Sequence, residues 1–500
     1  MANETKGYLP YKEPGVITIL VLSSFLILLN ILNHVLNRLI HCGLVGQILL
    51  GIAWGTPGGN WIKKSSQETI MMLGYIGLIL MVYEGGLATP FRTMRDNLLL
   101  SLLIALTGIL IPIALSFTLL TYSNASPVAA FSAGAALCST SLGTALTVLS
   151  SSSLRSTKLG VLLTNAAVLD DIAGLIMMQV VHNLGDGNFS AASVLRPVFV
   201  SLGLIVVVAL FCYFLLLPLS VRIEDFFHRH NDVNGYFSPD RVLFVIHTFI
   251  LVGLVTGAIY AGASGLTAAY VTGAAITWWD EEISRLRQFR RKTADNQEGG
   301  SDYLSPYQSQ GSYSISVSSN RDIGNYVKYS GMQIYNKFYM QALDRILRPF
   351  FFGSIGFSIP IVQMFSGRLI WRGFVYAVLM FIAKVLCGLW VFFVSYLFHR
   401  KKSEKPKDYS ISSGLYSSAL LGMSMVPRGE IGFLVSSMAE SKGVFGPPGD
   451  NGTSSDVYII VTWAIVICTI FGPIFIGSII RHLRSKNKDI RSQLGEWGTR

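Results

Sequence analysis

Apolar residues run along this chain in long blocks, parted by short polar turns. Thirteen blocks stand out: 16–36, 41–58, 67–88, 98–121, 127–150, 157–182, 193–218, 241–260, 262–280, 347–364, 372–398, 410–439 and 458–480. A helix rises 1.5 Å per residue, so about 20 apolar residues cross a hydrocarbon core about 30 Å thick. The pattern predicts an all-α polytopic membrane protein of thirteen transmembrane helices. The second and ninth blocks are short and glycine-rich. The first lacks an early small-residue cleavage site and is too long for a signal peptide's apolar region. The polar remainder divides the chain into an outer tail (1–15), spans one to nine (16–280), a polar linker (281–346), spans ten to thirteen (347–480) and a final cytosolic tail (481–500).

Composition agrees. Of 500 residues 51% are hydrophobic and only 13% charged, with a mean hydropathy of +0.51. Soluble chains carry about 25% charged residues, so a soluble enzyme built this way would have almost no polar surface. The five cysteines follow no metal-ligand spacing and read as small buried hydrophobes. A net charge of +11 would suggest nucleic acid for a soluble chain, but its placement gives another meaning. With the N-terminus outside, 29 of the 39 Lys and Arg fall on the inner side and eight on the outer, while Lys384 and Arg428 lie within spans. That bias predicts an outer or lumenal N-terminus and a cytosolic C-terminus. The N-x-S/T acceptors at Asn3, Asn124, Asn188 and Asn451 all fall on the outer side. A glycoprotein is expected, in the plasma membrane rather than an endomembrane, with lipid and not nucleic acid as its surroundings. Linker 281–346 opens on basic residues and turns Ser/Gly/Tyr/Asn-rich, which reads as a disordered cytosolic tether able to include a surface helix.

Charges inside the apolar blocks are the informative letters, because a buried charge faces a bundle interior or a wet cavity. In LLTNAAVLDDIAGLI, Asp170 and Asp171 lie mid-span. Neighbours on a helix point about 100° apart, so one carboxylate can meet a fixed cation while the other faces a cavity. Two carboxylates side by side in low dielectric repel, and such a site takes either a metal cation or protons. Asn165 adds polar surface on the same helix. Lys384, in YAVLMFIAKVLCGLWVF, is as deeply placed, and an Asp170–Lys384 pair is the economical arrangement. Arg428 and Glu430 flank Gly429 in LLGMSMVPRGEIGFLV, where Pro427 argues against a regular helix. Arginine stays charged, so Arg428 needs a partner: Glu430, or another carboxylate such as Glu84 in GLILMVYEGGL. Ser139, Thr140, Ser141 and Thr144, in FSAGAALCSTSLGTALTVL, mark a second break whose hydroxyls can ligate a cation or satisfy freed carbonyls.

The two breaks have matching positions. Each lies in the middle member of a triplet of spans, 98–121/127–150/157–182 and 372–398/410–439/458–480, and the triplets start from opposite sides of the membrane. Two inverted repeats with broken crossing helices predict a site at the midplane.

The pieces GLVGQILLGIAWG, CSTSLGT, LDD, GLTAAYVTGAAI, RPFFFGSIGFSI, AKVLCG and MVPRGEIGF occur in that order over nearly the whole membrane region. In combination they resemble the second type of monovalent cation/proton antiporter, the group of bacterial sodium/proton and potassium-efflux antiporters. The resemblance implies a core (transport) domain and a dimerisation domain, an elevator-like exchange of sodium or potassium for protons, and a homodimer. It implies that Asp171 binds the monovalent cation, that Asp170 pairs with Lys384, and that Thr140 with Ser141 is the polar point of the helix crossing. The Asp-Asp pair is similar to that of the sodium-type members. The resemblance is to a transporter without cofactor, and no nucleotide-binding domain is expected in the roughly 20 residues after the last span. Linker 281–346 is longer than the group's usual one.

The expected function is thus a secondary active transporter exchanging Na⁺, with Li⁺ and K⁺ as further candidates, for H⁺ by alternating access. A K⁺/H⁺ antiporter is the alternative. From other classes, a cation channel would need a carbonyl filter repeat, which the sequence lacks, and a proton-coupled carrier of a small organic solute would need more recognition groups near Asp171. An aspartyl protease would need two carboxylates about 3 Å apart sharing a proton, which adjacent helical residues do not provide. No enzyme activity is expected.

Overall fold

The computed structural model describes residues 11, 13–40, 42–89, 94, 97–141, 154, 157–185, 191–216, 239–298, 330–401, 411–446, 454–486 and 490–499. Among them, eight helices are long and apolar enough to cross a membrane, and two shorter apolar helices, Gly43–Trp54 and Pro127–Cys138, lie between them. The chain is an all-helical, multi-pass membrane protein.

The helices follow the apolar blocks closely. We number them α1 (Val16–Ile40), α2 (Gly43–Trp54), α3 (Lys64–Leu87), α4 (Leu98–Ser116), α5 (Pro127–Cys138), α6 (Lys158–Leu184), α7 (Ala191–Phe211), α8 (Pro239–Ala261) and α9 (Gly265–Glu298). After them come α10 (Gly331–Phe338), α11 (Arg348–Phe357), α12 (Gly367–Val385), α13 (Leu389–Lys401), α14 (Ile411–Ser424), α15 (Glu430–Ser441) and α16 (Asp456–Lys486). Ser126 starts α5 as its N-cap, accepting the Ala129 N–H at 3.1 Å, with Pro127 at the first helical position where its missing N–H costs nothing. Thr157 caps α6 in the same way.

Three departures from the apolar blocks matter. The ninth helix does not stop where polarity begins but continues to Glu298, and α10 follows at the far end of the linker. Residues 281–298 thus belong to a helix rather than to the tether expected from residue 281. The tenth block is split into the ten-residue α11 and a four-residue helical turn at Ile361–Met364. In the eleventh, a single turn of 3₁₀ helix (Leu386–Gly388) separates α12 from α13, directly after Lys384.

The break after Ser424 spans Met425–Gly429, and the break after Cys138 begins at Ser139 with extended backbone (φ −72°, ψ 152°). The rest of that fifth block, including Thr144, lies outside the described residues. The two interruptions satisfy each other. The Ser141 N–H donates to the Pro427 carbonyl at 2.8 Å, so backbone groups freed by one break bind those freed by the other.

Glycines let helices approach closely. A Cβ on Gly86 of α3 would drive into the Tyr270 carbonyl of α9, and one on Gly273 into the Tyr83 carbonyl of α3. Gly51 of α2 and Gly353 of α11 are in similar backbone contact.

Candidate functional site

The site forms where α6, α12 and α4 pass the crossed interruptions. Apolar residues on both sides of Asp170 and of Lys384 carry the two charges to the interior, where both are 0% exposed. The Lys384 ammonium lies 2.5 Å from Asp170 Oδ2. Thr140 completes the group. Its hydroxyl donates to the same Oδ2 at 2.5 Å, accepts from Lys384 Nζ at 3.0 Å and lies 3.2 Å from the Met425 carbonyl. One residue from the first break thus links the carboxylate of α6, the ammonium of α12 and the backbone of the second break. Asp170 Oδ1, by contrast, is buried without a hydrogen-bond partner among the described residues.

Gly108 of α4 makes room for this pair. A Cβ there would stand 3.1 Å from Lys384 Nζ and 3.5 Å from Asp170 Oδ1. Nothing in the sequence distinguishes this glycine from the other 47, and sequence reasoning missed it.

Asp171 faces elsewhere. It is only partly buried, while Asp170 is fully so, as the ~100° offset of helical neighbours requires. Its charged neighbours are Glu430, Asp170 and Lys384, and Tyr270 of α9 is close enough to sense its charge. Tyr270, also missed, is pinned by a 2.7 Å hydrogen bond with Thr89. Asn165 is fully buried on α6, and Ser141 is buried at the crossing beside Gly429.

Two expected partnerships are different in the structure. Arg428 is fully buried, but among the described residues no ion pair joins it to Glu430. Its Nη1 donates to the Ser139 carbonyl at 3.1 Å, neutralising the last carbonyls of α5, and its own carbonyl accepts from Thr469 at 2.9 Å. Glu430 begins α15 and is one of the charges that act on Asp171. Glu84 is not the partner of Arg428 either. It binds Arg348 Nη2 at 2.8 Å and accepts from the Tyr335 hydroxyl at 3.3 Å, while Arg348 also pairs with Asp344. That network joins α3 to α11.

Chemically, the arrangement is one neutralised carboxylate held in place and one open carboxylate beside it. Carboxylate oxygens such as those of Asp171 suit a hard monovalent cation. The same oxygens take a proton.

The sequence profile described as "Sodium/hydrogen exchanger, transmembrane" matches residues 21–291 and 323–482. The chain belongs to the sodium/hydrogen exchanger family. Among curated members, the high-affinity Na⁺/H⁺ antiporter NhaS3 of Synechocystis is 32% identical over 143 residues, which is 28% of this chain and 31% of that protein. The Na⁺/H⁺-K⁺ antiporter GerN of Bacillus cereus is 28% identical over 141 residues, 28% of this chain and 36% of GerN. A probable Na⁺/H⁺ antiporter of Methanocaldococcus jannaschii is 24% identical over 257 residues, 51% of this chain and 61% of that one. The matched stretches therefore span from about a third to three-fifths of these exchangers. Among solved structures, the sodium proton antiporter MjNhaP1 of M. jannaschii at pH 8 superposes with a TM-score of 0.56 at 17% identity, over 92% of this chain and 99% of its own. An electron-microscopy structure of the same protein gives 0.57 at 15% identity, over 94% and 99%. At these identities the likeness is one of fold.

Proposed function

We propose that this exchanger is a secondary active antiporter that trades a monovalent cation, Na⁺ first, for protons across the membrane. The observation that carries the reading is the pair of adjacent aspartates in two different states: Asp170 locked to Lys384 and Thr140, Asp171 open beside them at the crossing of two interrupted helices. In low dielectric a second free carboxylate next to the first is costly unless a cation or a proton neutralises it. Asp171 therefore binds one or the other, and exchange follows from that competition. If Lys384 stays paired throughout, one proton crosses per cation. If Asp170 also exchanges its ammonium for a proton, two do, and the membrane potential then contributes about 2.3 kcal/mol per 100 mV.

Alternating access is served by an elevator-like shift of a core domain, built on the inverted triplets and carrying Asp170, Asp171, Thr140 and Lys384, against a dimerisation domain. The full reading is a thirteen-span homodimer with an outer N-terminus, a cytosolic C-terminus and a plasma-membrane location. K⁺ is the second substrate to weigh, because GerN, by its name a Na⁺/H⁺-K⁺ antiporter, is among the relatives.

The test is purified protein in proteoliposomes with a lumenal pH dye, given Na⁺, Li⁺ and K⁺ in turn at a clamped potential. Saturable proton movement with Na⁺ is expected. Proton movement with no cation dependence, or cation flux without protons, would end the proposal.

A further inference from the structure

The segment following α16 folds back under the bundle and ties together the helices that carry the charged site. Three hydrogen bonds do this. The backbone N–H of Lys158, first residue of α6, donates to the Thr499 carbonyl at 2.8 Å. The Trp497 indole N–H donates to Ser395 Oγ of α13 at 2.7 Å. Ser417 Oγ of α14 donates to the Leu494 carbonyl at 3.2 Å. Ile490 and Leu494 are buried in one apolar cluster with Leu159, Leu163, Val391, Leu420, Cys387 and Met425, so the packing runs from this segment to the neighbours of Lys384 and to the second break.

The three tied helices are not arbitrary. α6 holds Asp170 and Asp171, α13 continues the helix of Lys384 through one 3₁₀ turn, and α14 leads into Met425, whose carbonyl meets Thr140. All three are held at the end of the bundle where α6 begins. The first N–H groups of a helix have no partner within it. In α6, Thr157 takes the Gly160 N–H and Thr499 takes that of Lys158. A brake would have to bridge the moving and the fixed parts of the transporter, whereas these bonds join helices of one part.

We infer that residues 490–499 act as a staple that keeps the Asp170 and Lys384 helices in register, with Trp497 as the positioning residue. The inference rests on the antiport reading above. It implies that loosening the staple slows exchange, and that it does not release a blocked transporter.

The test uses full-length Trp497→Phe, which keeps an aromatic ring of smaller size and removes the N–H, and Ser395→Ala, which removes the acceptor. Hydrogen exchange in detergent should accelerate about fivefold at amides 158–163 and 389–395 in both variants, as for the loss of one hydrogen bond. In proteoliposomes the maximal rate of Na⁺-driven proton movement should fall, with KM for Na⁺ changed less than about twofold. Unchanged exchange at those amides overturns the staple. So does an unchanged maximal rate, which would leave a merely structural contact, and so does faster transport, which would make the segment a brake. Hydrogen exchange needs no transport. It judges the staple even if wild-type vesicles move no protons, a result that would instead sink the antiport reading.

Discussion

Asp170 and Lys384 have given up water completely, and each now depends on the other. Removing one member of a buried pair costs about 3–5 kcal/mol, because the survivor stays charged and unsolvated. Lys384→Ala should therefore lower the melting temperature in detergent markedly, and a joint Asp170→Asn, Lys384→Met change should recover much of the loss. Equal melting for the single and joint variants would mean the pair carries no such dependence. Asp171→Asn should leave the fold intact, since this side chain is partly open, yet abolish cation-dependent proton movement. Retained exchange would remove Asp171 from the ion site. Gly108→Ala presses a methyl to 3.1 Å from the ammonium. Overpacking of this kind costs about 1–3 kcal/mol, and the pH profile of transport should move with it. The charged residues of this group were legible in sequence, because an ionisable side chain deep in an apolar block has few explanations. Their partners were less so. Arg428 Nη1 is answered by the Ser139 carbonyl, and a backbone atom leaves no letter, while its buried Nε and Nη2 have no hydrogen-bond partner among the described residues. Glu84 is answered by Arg348, from beyond a linker that sequence reasoning could not fold.

At the scale of helices, close backbone approach separates glycines that matter from those that do not. Gly86 of α3 abuts the Tyr270 carbonyl of α9, a backbone atom that cannot swing aside, whereas nothing lies within 4 Å of a Cβ on Gly253 of α8. Gly86→Ala should therefore destabilise the protein by about 1–3 kcal/mol through overpacking. Gly253→Ala should be neutral or gain up to about 1 kcal/mol of helix propensity. Matched thermal melts in detergent decide the matter, and equal effects at both positions would discredit the α3–α9 contact. The interruptions themselves were readable, since Pro427 cannot donate to a helix and the Ser/Thr run could satisfy freed carbonyls. The length of α9 was not. Of its last 18 residues only Ile283, Leu286, Phe289 and Ala294 are apolar, too few to mark a helix that runs on past the apolar block.

Across the whole molecule the strongest long-range signal is the uneven placement of positive charge, and it makes orientation testable on the protein as it stands. All five cysteines are buried, so an impermeant maleimide added to sealed cells has little native thiol to reach. Asn124 lies exposed in the turn before α5, and Ser485 is exposed near the end of α16. In the proposed thirteen-span topology the basic residues gather on the side of Ser485, and six of them lie between Arg481 and Arg500. Lys and Arg are retained on the cytosolic side during insertion, so Asn124→Cys should label from outside and Ser485→Cys only after the membrane is permeabilised. The reverse pattern would invert the topology. The two faces of the bundle would then have to be exchanged, because the end held by residues 490–499 would face the outside.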